Sequence, residues 1–125
     1  MTMTEVNQRK HHRFRSLNLL SYVCIDESQN VVRQGMGRTL DVSEGGILLE
    51  THAPIPLQHT ISLTIGWEDD VTEIDGRAVY SRPGGPGKYE SGIAFYGKNE
   101  AGLRILRKYI EAFVESKTET DETIE

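Results

Sequence analysis

The chain has 125 residues, is 37% hydrophobic and carries a formal charge of -5, which allows one domain with a single modest core. Its only cysteine, Cys24, excludes an internal disulfide, and no apolar run approaches the ~20 residues that cross a bilayer. Charge is uneven: residues 1–15 hold four basic and one acidic side chain, 16–115 hold nine and 14, and 116–125 hold one and four, so the acidic body argues against general DNA or RNA binding.

Residues 1–7 are polar and aperiodic, and disorder is expected there. RKHHRFR, residues 9–15, then gathers three arginines, a lysine and two histidines. Leu20 to Ile25 reads as a strand ended by the turn-forming DESQN, residues 26–30. Cys24 lies within the apolar run Tyr22–Ile25 and is expected to be a small buried hydrophobe rather than a reactive thiol. QGMGRTL, residues 34–40, is a second strand whose glycines allow bending or close approach. DVSEGG, residues 41–46, comes next and leads directly into Ile47-Leu48-Leu49. Asp, Ser and glycines with access to positive φ predict a hairpin turning at 43–46.

Pro54 and Pro56 keep residues 52–59 out of a central strand. Ile61, Leu63 and Ile65 alternate with Ser62 and Thr64, the clearest period-two signal in the chain, and WEDD at 67–70 turns it. Residues 71–81 form another strand, with Ile74, Gly76, Ala78 and Tyr80 expected on one side and Asp75 and Arg77 on the other. PGGPG, residues 83–87, is expected to be a loop. YESGIAFY, residues 89–96, is the last strand. The period then changes: Asn99 is a good N-cap, and Leu103, Leu106, Ile110 and Phe113 form one stripe of a helix. After Ser116 the acidic sequence has no core to join, and 116–125 is expected to be a disordered tail. The fold class is therefore mainly β: about six strands joined by hairpin-like turns, closed by one C-terminal helix, the pattern of a small antiparallel barrel.

Several chemistries lack their residues. The four histidines and Cys24 make no metal-ligand spacing. There is no nucleophile elbow, and neither a Walker nor a dinucleotide glycine pattern. No enzyme, metal or cofactor is expected. Two elements remain. In Arg9-x-x-x-Arg13 the spacing puts both guanidiniums on one side of either a strand or a helix, where they could grip phosphates or stack on bases; a solvated basic patch has the same signature. In Asp41-x-Ser43-x-x-Gly46, an extended backbone projects Asp41 and Ser43 to one face, with Gly46 leaving open space beside them. A carboxylate there could take the N1–H and N2–H₂ donors of a guanine, but a self-capped hairpin turn is the favoured reading of the hexapeptide alone.

The two motifs in this order, R9KHHR13 and then D41VSEGG46, resemble the PilZ domain, a bacterial receptor for cyclic di-GMP. The resemblance runs from about residue 8 to 115 and includes GGILLE, SGIAF and the closing amphipathic helix. It implies a PilZ-like six-stranded split barrel over 8–115 with a mobile arginine segment at 8–15. It also implies Arg9 and Arg13 as the clamp on phosphates and guanine edges, and Asp41, Ser43 and Gly46 as the guanine-reading surface. Gln8 and Lys10 flank the clamp as further candidate contacts. The expected function is a cytoplasmic cyclic di-GMP receptor that changes conformation and signals to an unidentified downstream protein, with no membrane insertion. A ligand-independent adaptor on the same fold is the alternative, and a nucleic-acid module using residues 9–15 as an arm comes third.

Overall fold

Period-two alternation decides which side chains meet in this protein. The computed structural model describes residues 19–97 and 99–124. Ile61, Leu63 and Ile65 are fully buried on one face of their strand. Leu20, Tyr22 and Cys24, then Ile47 and Leu49, then Ile93 and Phe95, point inward from neighbouring strands to the same core. The strands are β1 Leu19–Ile25, β2 Val31–Val42, β3 Gly46–Thr51, β4 Thr60–Trp67, β5 Asp70–Gly85 and β6 Lys88–Gly97. Among the described residues all pairings are antiparallel and close a barrel in the order β1-β2-β3-β6-β5-β4, so each of these six strands has two neighbours. The six-stranded barrel with one C-terminal helix is the architecture expected from the sequence.

Three stretches differ from the expectation. β2 starts at Val31 rather than 34, because the Asp26 carboxylate ties the preceding loop tightly. It accepts hydrogen bonds from the N–H groups of Ser28 and Asn30, both at 2.9 Å, and these lower its pKa. β5 and β6 extend into PGGPG, leaving only Pro86 and Gly87 as the turn. Proline presets φ at the first position and Gly87 takes φ +70° at the second, the Pro-Gly pattern of a type II turn. In β5 the register slips between Ala78 and Tyr80. Val79 is an extra residue there, so Tyr80 faces outward with 37% exposure instead of joining Ile74, Gly76 and Ala78.

The helix, α1, spans Glu100–Ile124. Its cap is Asn99, whose side-chain oxygen accepts the Gly102 N–H at 2.7 Å and whose carbonyl accepts that of Leu103 at 2.8 Å. Leu106, Tyr109, Ala112 and Phe113 are buried, with Leu103 and Ile110 packed beside them, and the helix lies against β4 and β5. The backbone stays helical past Ser116 to Ile124. Once nucleated, a helix propagates through Glu, Thr and Asp at only tenths of a kcal/mol per residue.

Tyr109 and Ala112 are core residues of α1 that the apolar stripe did not identify, and Tyr109 is the polar one. Its hydroxyl and that of Thr39 on β2 share a buried hydrogen bond of 2.7 Å, and burial pushes its pKa up to about 12. Tyr109→Phe would leave the buried Thr39 hydroxyl without this partner, at a cost of about 1–3 kcal/mol. Thermal melts should show a drop of roughly 5–15 °C, and Tyr109→Phe/Thr39→Val should recover part of it. Equal melts for wild type and the single variant would show that the bond contributes nothing net.

Candidate functional site

The motif at 41–46 owes its geometry to a bulge. The β2–β3 register jumps from Thr39↔Leu49 to Asp41↔Leu48, with Leu40 as the extra residue. Thr39 and Val42 both point inward, and Asp41 and Ser43 both face solvent. The Asp41 carboxylate accepts the Val42 N–H at 3.0 Å through Oδ1. Among the described residues, none bonds to its other oxygen, so a ligand donor could reach it.

Ser43 closes the hairpin. Its N–H donates to the Gly46 carbonyl at 2.8 Å, and its Oγ accepts the Gly45 N–H at 3.3 Å. The self-capped turn is thus present, and it holds Asp41 and Ser43 on one face as well. The glycines act differently from the expectation. Neither Gly45 nor Gly46 has positive φ. A Cβ on Gly46 would collide with the Ile93 carbonyl oxygen of β6, so Gly46 lets two strands approach rather than opening space for a ligand.

Close approach builds the floor of a shallow depression of about 320 Å³ on the outer face of the barrel. Asp41 and Ser43 stand at one side, Gly46, Gly92 and Ala94 form the floor, and Val79 of the β5 bulge lies opposite. Sequence reasoning missed Gly92, Ala94 and Val79. The glycine within SGIAF was the available signal, since glycine inside a strand marks close approach. Here the neighbour is Tyr80, whose ring would meet a Cβ on Gly92 at 2.5 Å, with the Arg82 guanidinium 5.1 Å from the ring centre.

Ion pairs surround the depression. Arg38 Nε meets Glu50 Oε1 at 3.1 Å, Arg82 meets Glu90 at 3.7 Å, and Arg107 Nε of α1 meets Glu44 Oε2 at 2.9 Å. The hydrogen bond from Arg38 holds the Glu50 carboxyl below its ordinary range. Such exposed pairs contribute about 0–1 kcal/mol each. The Glu44–Arg107 and Thr39–Tyr109 contacts bracket Asp41 and Ser43, so α1 is tied to the motif from both sides.

Of the residues singled out from sequence, Asp41, Ser43 and Gly46 line one depression; Gln8, Arg9, Lys10 and Arg13 lie outside the described residues. Leu19, where the described chain begins, is opposite Arg38, three residues ahead of Asp41. Arg13 precedes Leu19 by six residues and Arg9 by ten, spans of up to about 20 Å and 33 Å for extended chain. Both can therefore reach the depression. No helix among the described residues is long and apolar enough to cross a membrane.

The PilZ domain family model matches residues 7–112, a span that contains both motifs. Among solved structures the fold is similar to that of MrkH from K. pneumonia in its apo state, with a TM-score of 0.53 and 17% sequence identity. That likeness covers 80% of this chain and 49% of the other, so the chain matches about half the length of MrkH, and the likeness is one of fold. No curated protein matches.

Proposed function

This chain belongs to the PilZ domain family, and on that premise we propose that it is a non-catalytic receptor for cyclic di-GMP. The observation that carries the reading is where β1 begins, with Leu19 opposite Arg38. β1 begins beside the strand that presents Asp41, which brings Arg9 and Arg13 within reach of the outward carboxylate. Asp41 accepts the N1–H and N2–H₂ donors of a guanine, and the Ser43 hydroxyl meets a phosphate or base edge. Gly46 keeps the floor flat enough for a planar base. Arg9 and Arg13 clamp phosphates and guanine edges from above, with Gln8 and Lys10 as flanking contacts. A local basic segment on an acidic body suits a small dianion better than a polymer.

Binding draws residues 8–15 onto the barrel, and the closed form presents a changed surface to a downstream protein. The ligand shifts that balance only by its preference for the closed form. Calorimetry and thermal shift with cyclic di-GMP, beside GTP and cyclic di-AMP, test the reading. At ~100 μM ligand and a Kd near ~1 μM, stabilisation of about 2.7 kcal/mol is expected from cyclic di-GMP alone. A wild-type protein with no response to cyclic di-GMP would sink the receptor reading in favour of an adaptor that works through protein contacts.

A further inference from the structure

A cationic side chain stands beside the depression, next to its lining residue Ala94. Arg77 on β5 lies opposite Ala94 on β6, and Ala94 lies opposite Gly46 on β3. Gly46 and Ala94 belong to the floor. Gly76 and Ala78 point into the barrel on either side of Arg77, which is exposed on the outer face. Arg38, Arg82 and Arg107 each meet a carboxylate, whereas Arg77 has no ion pair among the described residues. Its nearest same-face acid on β5 is Asp75, two positions earlier.

Charge fixes how an anionic nucleotide would lie here. At the β2–β3 side Glu44 is paired with Arg107, whereas Asp41 has no ion pair among the described residues, so a phosphate is repelled from Asp41 itself while a guanine donor edge is attracted to it. The β5 side is three inter-strand steps away, about 14 Å between backbones, and a long arginine side chain shortens the gap. A base on Asp41 therefore directs the attached phosphate toward β5, where Arg77 offers a guanidinium with no competing partner.

We propose that Arg77 is a phosphate contact of the ligand site, supplied by the barrel itself and additional to Arg9 and Arg13. It rests on the cyclic di-GMP reading above. The test is calorimetry of cyclic di-GMP with wild type, Arg77→Ala, Arg77→Lys and Arg33→Ala, the last removing an exposed arginine near the far end of β2. Arg77→Ala should weaken binding by about tenfold to a hundredfold, the range for a charge-assisted hydrogen bond. Arg77→Lys should recover part of the loss, and Arg33→Ala should bind like wild type. Ligand-free melting temperatures of the Arg77 variants should match wild type, since the side chain is exposed. Equal affinities for Arg77→Ala and Arg33→Ala would overturn the role of Arg77 while leaving the receptor reading intact. A wild-type protein that does not bind would remove that reading, and this proposal with it.

Discussion

Asp41→Ala and Arg13→Ala are each expected to abolish the melting-temperature rise that cyclic di-GMP gives the wild-type protein. The Leu40 bulge turns Asp41 outward, and its carboxylate has an oxygen that no described residue bonds. Two hydrogen bonds from a guanine to a charged carboxylate are together worth about 3–6 kcal/mol, at 1.5–3 each. Loss at the low end already weakens affinity more than a hundredfold. Arg13→Ala would remove a bidentate group of the proposed clamp, a loss of similar size. Asp41→Asn is the informative companion, because its side-chain oxygen can still accept the Val42 N–H while the charge is gone. It should keep the ligand-free melting temperature and lose most of the response. A response that survives both alanine variants would place the ligand elsewhere on the protein.

Much of the barrel was legible because its strands alternate. Ile61-Ser62-Leu63-Thr64-Ile65 states its own register, and the change to helical spacing after Asn99 is equally plain. What sequence hid were the interruptions. A bulge is one extra residue, and neither Leu40 nor Val79 differs in composition from its neighbours. Yet Leu40 turns Asp41 outward, and Val79 takes Tyr80 out of the core. The far wall was hidden for another reason. Gly92, Ala94 and Val79, with Arg77 beside them, join the motif only through the β3–β6 and β6–β5 registers, and long-range register leaves no mark in a local window. Tyr109 was missed because an aromatic residue with a hydroxyl does not announce whether its tip meets water or, as here, Thr39. The motif itself was legible as a self-capped turn, and Ser43 makes that turn. The same hydrogen bonds also hold the two candidate ligand groups on one face, so the structural and binding readings share one geometry.

The glycines of DVSEGG separate those two readings by experiment. Gly46→Val is expected to destabilise the ligand-free protein by about 2–4 kcal/mol, lowering its melting temperature by roughly 10–20 °C. The obstacle is backbone: the new Cβ would meet the Ile93 carbonyl oxygen, in the register where Gly46 faces Ala94 and Ile47 faces Ile93. No rotamer change relieves it, and β3 would have to separate from β6 to make room. Gly45→Ala, one residue earlier, should change stability by less than about 0.5 kcal/mol, because the nearest atom to its Cβ is Ser43 Oγ at 4.0 Å and its φ is not positive. Adjacent glycines thus have opposite expectations on grounds that involve no ligand. If Gly46→Val melted like wild type and only lost cyclic di-GMP binding, Gly46 would be needed for the ligand's approach. A low melting point, with affinity retained at temperatures where the variant is folded, would make this glycine the device that brings β3 to β6 and so shapes the floor beneath the base.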